Sequence, residues 1–359
     1  MGDGLPRRTT DFRRRIRWLP PEEERTMTTT TAQLFSDAPP SGRARVVESL
    51  KGPIGSIGVT LAATIIIGLL WTGPGFLSPS NIQIVGVSVA IPLIVAVMAS
   101  FALLAGVVDL SIGSMVGFGA VIFNQLVSAG LDPWLVAGIT VVVGAVVGLV
   151  NALVIVRFGA EPLAVTLGML TLLRGLCQVI VVNAPPTTLV EPLYDLTQGA
   201  VLGFPTLLLI AMGLTLIAAG FVSKTRGGRK VQAVGGDPRA AARAGISVSR
   251  VRIAALVASS VGAAIGGILY VGQLGSASNV LGIGLEFQIY AALMIGGYSI
   301  TRGGVGNPLG GLFGLLVVAG ITNILNINFF DPDYLDLIVA AILIVAVLVD
   351  RLRGGDSFE

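Results

Sequence analysis

Pro133-Trp-Leu-Val-Ala-Gly-Ile-Thr-Val-Val-Val-Gly-Ala-Val-Val-Gly-Leu-Val-Asn-Ala-Leu-Val-Ile-Val156 carries no charged side chain. About 20 such residues, wound as a helix, cross the hydrocarbon core of a bilayer. The run is apolar on every face, without the in-and-out alternation of a barrel strand, and it is too long for one. It reads as a transmembrane helix.

Nine similar segments flank it, with soft boundaries: 54–72, 82–107, 110–129, 162–183, 201–223, 251–274, 285–299, 307–326 and 334–350. The expected fold class is therefore an all-α integral membrane protein of about ten transmembrane helices. Eight crossings would also fit, because removing two at once preserves the orientation of the rest. The segment 285–299 is short for a span, and a re-entrant path is the alternative. Composition agrees: 53% of residues are hydrophobic and only 12% charged, against about 25% charged in soluble domains. The 48 glycines suit membrane helices, where glycine is commoner than in soluble ones.

Charge placement orients the bundle. With the N-terminus inside and ten crossings, the outside links are 73–81, 130–132, 184–200, 275–284 and 327–333, and none holds Lys or Arg. The inside links and tails, with the span ends beside them, carry 22 of the 23 basic residues, Arg174 being the exception. This is the positive-inside pattern, and it predicts a cell-membrane protein with both termini cytoplasmic. Residues 1–50 are rich in Arg, Pro and Thr and predict a disordered cytoplasmic tail. No apolar core follows Arg13, Arg14 and Arg15, so this is not a signal peptide. Met27 is an alternative start to Met1. Residues 51–353 form the membrane domain, 224–250 its longest inside link, and 354–359 a short tail.

The absence of histidine removes His-based acid–base chemistry and most zinc sites. The single Cys177 lies in an apolar run and fits a packing role. No phosphate-binding loop is present; Ser223-Lys-Thr225 lacks the glycines. No metal or cofactor is expected on this chain. If transport uses ATP, the ATP and Mg²⁺ belong to another subunit. A net charge of +3 gives no ground for nucleic-acid binding.

Several features break the apolar pattern. In the inside link, Asp237 is a good N-cap and Pro238 suits the first helical position. Ala and Arg at 239–244 favour a helix, and Gly245 is a natural stop. A two-turn helix over Asp237–Ile246 is marginal alone and needs a surface. Either anionic lipid or a soluble partner supplies it; Ala241 and Ala242, between Arg239 and Arg243, favour a close protein fit. Asp109 and Ser111 sit in Gly106-Val-Val-Asp-Leu-Ser-Ile-Gly-Ser114, as a turn or as part of a polar path. Arg174 lies mid-span, where insertion costs about 2.5–3.5 kcal/mol; Asp109, Glu161 and Glu286 are its candidate partners. Ser299 lies in the glycine run from Gly296 to Gly314, read as an irregular pathway segment or as a plain inside hairpin. Gly113/Gly117, Gly144/Gly148, Gly262/Gly266 and Gly310/Gly314 each put two glycines on one helix face, for packing within the subunit or between subunits.

Four of these stretches resemble the membrane subunits of bacterial ABC sugar importers of the ribose/xylose/galactose type. They are Gly106–Ser114; Pro162-Leu-Ala-Val-Thr-Leu-Gly-Met-Leu170 with Arg174-Gly175; Ala233-Val-Gly-Gly-Asp-Pro-Arg-Ala-Ala-Ala-Arg-Ala-Gly-Ile246; and Gly296-Gly-Tyr-Ser-Ile-Thr-Arg-Gly-Gly-Val-Gly306. They occur in family order, and the resemblance covers residues 54–353. It implies a vitamin B12-importer-like, type II-like permease fold of about ten helices. It also implies two permease subunits as a homodimer around a central pathway, ATPase subunits docked on 237–246, and an extracytoplasmic sugar-binding protein. Val107-Val108 and Arg302 depart from the family pattern and bear on substrate. Nucleoside and branched-chain amino-acid permeases share the architecture. An ion-coupled secondary transporter, an intramembrane enzyme and a passive channel are the rivals; few intramembrane carboxylates and no histidine count against the first two.

Overall fold

The computed structural model describes residues 53–181 and 186–354. The expected N-terminal tail and the last five residues lie outside that set. The described chain is helical almost throughout, in the order α1 (Pro53–Thr72), a short 3-10 turn (Pro74–Leu77), α2 (Pro79–Leu104), α3 (Ile112–Ser128), α4 (Pro133–Arg157), α5 (Pro162–Ile180), α6 (Glu191–Gln198), β1 (Ala200–Val201), β2 (Phe204–Pro205), α7 (Thr206–Lys224), α8 (Arg226–Gly236), α9 (Pro238–Arg243), α10 (Val248–Leu274), α11 (Leu285–Ile295), α12 (Pro308–Ile327) and α13 (Pro332–Gly354).

Each of the ten apolar segments becomes a helix. Six of these are long and apolar enough to cross a membrane, namely α2, α4, α5, α7, α10 and α12; Ile57–Thr72, α3 and α11 are shorter apolar helices. Their starts follow from local chemistry. Pro79, Pro133, Pro162 and Pro308 occupy the first helical turn, where a missing N–H costs nothing. Ser78, Asp132 and Asn307 cap three of them by accepting from the N–H of Asn81, Leu135 and Leu309.

Helix α10 is the axis of the bundle, packed against α2, α3 and α4. In lipid, helices gain little from hydrophobicity, so close backbone approach through small residues matters more. Gly144 and Gly148 of α4 meet Ser260, Ala264 and the backbone of Leu256 and Val257 on α10; Gly262 and Gly266 of α10 meet Met98 and Val95 of α2. Gly310 and Gly314 of α12 meet Gly296 and the carbonyl of Ala292. All these pairs pack within the chain. One interhelical polar clamp joins α2 to α12: Asn81 and Asn323 exchange side-chain amide hydrogen bonds at 2.9 Å in both directions.

The links hold more structure than the sequence pattern announces. The link between α5 and α7 carries α6 and a two-residue ladder, Ala200 opposite Pro205 and Val201 opposite Phe204. The turn between them, with Leu202 and Gly203 at positive φ, delays the start of the sixth apolar helix to Thr206. The link between α7 and α10 is not an open basic loop leading to one short helix. It contains α8, capped by Thr225, whose hydroxyl accepts from Gly228 N–H at 3.0 Å. Four glycines in eleven residues hide this helix from propensity. Gly228 lies against the backbone of Phe221 and Val222, where a larger residue would block the corner between α7 and α8.

The segment before α11 departs most from expectation. Gly275 lies level with the end of α3, because its carbonyl accepts from Thr188 N–H at 2.6 Å and the Thr188 hydroxyl bonds that of Ser128 at 2.6 Å. Yet Leu281 and Gly282 lie against Gly117 and Gly113, in the first two turns of α3. Residues 275–284 therefore leave the end of α3 and return toward its start. They fold back beside its first two turns through hydrogen-bonded turns, Leu281 N–H donating to Ser278 O and Ile283 N–H to Val280 O. Helix α11, only 11 residues long, continues from there. The eighth segment is thus a short helix entered through a series of turns.

Candidate functional site

The entry into α11 is the first candidate site. Gly282 and Gly284, at φ 80° and 78°, turn the chain into α11. Glu286 lies in the first turn of that helix, where the helix dipole favours a negative charge. Of the three partners proposed for Arg174, the structure selects this one. Arg174 Nη2 lies 3.1 Å from Glu286 Oε1, and Arg174 Nε donates to Ser114 Oγ at 3.0 Å. Glu286 is 1% exposed and Arg174 24%. The second carboxylate oxygen of Glu286 is buried without a hydrogen-bond partner. The pair ties α5 to α3 and α11 at the point where regular backbone stops. Irregular backbone at such depth persists only where protein buries it or where it lines a polar cavity.

Helix α5, which carries Arg174, is the least covered of the long apolar helices. Its open side shows Ala164, Gly168, Thr171, Gly175 and Gln178, three to four positions apart and so on one face. Small and polar groups line this face together with the partly exposed guanidinium.

The second polar cluster surrounds Asp109. Its carboxylate accepts from Ser111 N–H at 3.1 Å, from the Ser111 hydroxyl and from the Ser259 hydroxyl at 2.8 Å. Tyr290 closes the other side: its hydroxyl donates to Asp109 O at 3.0 Å and accepts from Asp109 N–H at 2.8 Å. Asn151 of α4 donates to Ser111 Oγ at 3.1 Å. Asp109 and Ser111 are fully buried. The side chain bonds its own turn, and the same carboxylate pins the α2–α3 break to α10. Ser259, Asn151 and Tyr290 were not singled out from the sequence, though each is a polar group inside an apolar run and so carries a readable signal.

The link between α7 and α10 forms the third group. Asp237 Oδ1 accepts from the N–H of Arg239 and Ala240 at 2.8 and 2.9 Å, and Pro238 opens α9. The Ala240 N–H, then the Arg239 N–H and the charges of Arg243 and Arg239, hold the Asp237 carboxyl below the ordinary aspartate range. Gly245, at φ 80°, ends the helix in a conformation that side-chain-bearing residues rarely adopt. The Ile246 N–H reaches back to Ala241 O at 3.0 Å. Only Ala241 of α9 is buried; Arg239, Ala240, Ala242, Arg243 and Gly245 are exposed and Ile246 half-buried.

Backbone contacts seat this unit. Gly235, at the end of α8, touches Gly106, Gly303, Gly304 and the carbonyl of Leu104. The Gly304 N–H donates to Leu104 O at 3.0 Å, and Arg252 Nε to Ala105 O at 3.4 Å. Three stretches distant in sequence thus meet at one glycine joint below α9. The Gly296–Gly306 run therefore packs against α8. Ser299 lies with this group and far from Arg174 in its bonding: its hydroxyl and that of Thr301 donate to Asp350 Oδ2 at 2.8 and 2.9 Å, tying the run to α13.

The family model for the branched-chain amino acid transport system, permease component, matches residues 81–348. The chain belongs to this family. Similar members of known role are sugar permeases. The L-arabinose ABC transporter permease protein of Azospirillum brasilense is 32% identical over 79% of this chain and 83% of its own length. The ribose import permease protein of Haemophilus influenzae is 30% identical over 78% and 88%. The fructose import permease protein of Bifidobacterium longum is 30% identical over 74% and 82%. No solved structure matches. This permease is thus a multi-pass membrane protein of the sugar ABC importer permease group, and the matched span contains Asp109, Arg174, Glu286 and α9.

Proposed function

We propose that the permease is the membrane-spanning subunit of an ATP-driven importer that passes a monosaccharide received from an extracytoplasmic binding protein. The family description names branched-chain amino acids, but the similar permeases are named for arabinose, ribose and fructose, and the sugar reading rests on these. In this reading the chain makes ten crossings in a vitamin B12-importer-like arrangement, the eighth of them broken at Gly284. Both termini and residues 224–250 face the cytoplasm. Two copies face one another across the pathway.

One observation carries the proposal: the exposed face of α9. A six-residue helix is unstable in isolation, yet Asp237 and Gly245 fix both its ends, and Ala240 and Ala242 leave its surface open between two arginines. Such a shape fits a groove on a nucleotide-hydrolysing subunit. ATP-driven closure of that subunit then displaces α9, and the glycine joint passes the motion to α2 and the 296–307 segment. The open face of α5 supports the pathway half of the reading, since a guanidinium and its small polar neighbours are poorly accommodated against lipid chains. The permease forms no covalent intermediate with the sugar.

The test is reconstitution in vesicles with the ATPase and the sugar-binding protein. Arg239→Glu with Arg243→Glu, and separately Ala242→Trp, should reduce ATP-driven uptake at least tenfold while the permease stays inserted and folded. Undiminished uptake in both variants refutes docking on α9. Uphill uptake by the chain alone refutes the ATP-driven reading.

A further inference from the structure

The strongest feature outside these sites is a groove between α2, α7 and α10, roofed at one end by α8. Its volume is about 520 Å³ and its walls are almost wholly apolar. Phe101 and Phe221 meet edge to face at 5.8 Å on one side, and Ala254 and Ala258 of α10 leave room on the other. The groove extends to Leu214, ten residues from Lys224 on α7, which is about 15 Å along the helix. At its mouth stand Lys230 and Arg250, both exposed. Lys224, Arg226 and Arg229 follow on the same link, also exposed. Among the described residues none of these five is ion-paired.

An apolar slot along the helices, opening onto unpaired cations at the membrane edge, has the chemistry of one ligand class. We propose that this groove is a binding site for an anionic phospholipid of the cytoplasmic leaflet, with an acyl chain beside Phe101 and Ala258 and the phosphate between Lys230 and Arg250. Basic pockets between helices on that side of the membrane select anionic headgroups, and clustered cations there attract them further. The inference rests on the reading that residues 224–250 are cytoplasmic. Helix α8 roofs the groove and leads directly into α9, so the bound lipid holds the joint through which α9 is seated.

The test is native mass spectrometry of the purified permease from nanodiscs of phosphatidylcholine with phosphatidylglycerol. The parent should retain one phosphatidylglycerol in preference to phosphatidylcholine. Lys230→Gln with Arg250→Gln should lower that preference roughly tenfold or more, as the loss of two headgroup cations predicts. Ala258→Trp, which fills the slot and leaves the cations, should lower retention of both lipids. Equal retention of the two lipids by the parent, unchanged retention in both variants, or protection of the groove by a second copy of the chain overturns the proposal. Orientation is checked separately with Ala244→Cys in a Cys177→Ser background. Labelling of intact cells by an impermeant maleimide defeats the cytoplasmic reading, while the lipid count still reports on the groove.

Discussion

Arg174 and Glu286, 112 positions apart in sequence, form a 3.1 Å ion pair at the point where the turns of residues 279–284 lead into α11. Glu286 is the buried member and Arg174 the accessible one, so the two substitutions are not equivalent. Stranding a buried charge typically costs about 3–5 kcal/mol, and the partial exposure of Arg174 reduces this to roughly 2–3 kcal/mol. Arg174→Gln is therefore expected to lower the thermal midpoint of the purified permease. Adding Glu286→Gln should recover part of the loss, because the orphaned charge is gone. A double-mutant cycle with purely additive effects contradicts the pairing.

Asp109 is expected to be the most sensitive polar position. Asp109→Ala leaves the Ser111 amide and the Ser111 and Ser259 hydroxyls without their acceptor in a dry interior, at about 1–3 kcal/mol for each stranded group. Folded yield and thermal midpoint should fall steeply. Ser259→Ala removes one donor and keeps the others, and should cost about 1 kcal/mol. Comparable midpoints for the two variants rule out the network described.

Gly235 and Gly236 are adjacent and make a sharp contrast. A methyl group at Gly235 meets the Leu104 carbonyl and the backbone of Gly303 and Gly304; at Gly236 it meets nothing within 4 Å. Gly235→Ala should impair uptake by tenfold or more. Gly236→Ala should be tolerated, or stabilise by up to about 1 kcal/mol as alanine replaces glycine in a helix. Equal effects in transport and unfolding assays refute the joint.

The cap of α9 predicts a pH dependence. Asp237 has a folded-state pKa below its ordinary value near 3.8. The ionised cap therefore stabilises α9 fully above the unfolded value and loses this contribution as pH falls through the lower folded one. Amide protection at Arg239 and Ala240 should be flat from neutral pH down to about 5 and decline below 4. Asp237→Asn keeps an acceptor but no titrating charge, and should abolish the decline. Hydrogen exchange read by mass spectrometry decides the matter.

Much of this architecture was legible in the chain. Lipid demands long apolar runs, and the runs beginning near Pro79, Pro133, Pro162 and Pro308 declare their own starts. Asp237 and Gly245 bracket α9 by local rules that no tertiary contact overrides. What escaped was settled by contacts between distant segments. Helix α8 forms despite Gly227, Gly228, Gly235 and Gly236, because α7, Leu104 and Gly303 demand bare backbone there. The descent of residues 275–284 along α3 could not be inferred from apolarity, since Gly275–Gly284 looks like any short link until Gly113 and Gly117 open a channel for it. Three candidate acids could not be ranked for Arg174, because the choice depends on where α11 begins. The glycine-rich setting of Ser299 reads either as a pathway segment or as a plain hairpin, and the sequence holds no sign of the bond to Asp350 that fastens the run to α13.

The seat of α9 has a mechanical corollary. Where Gly106, Gly235 and Gly303 press main chain on main chain, no χ torsion stands between the parts to soak up travel. A linkage of long side chains would give before it transmitted; this one has almost no play. Small strokes delivered at the rim should reach the ends of α2 and the 296–307 segment nearly undiminished, and in phase.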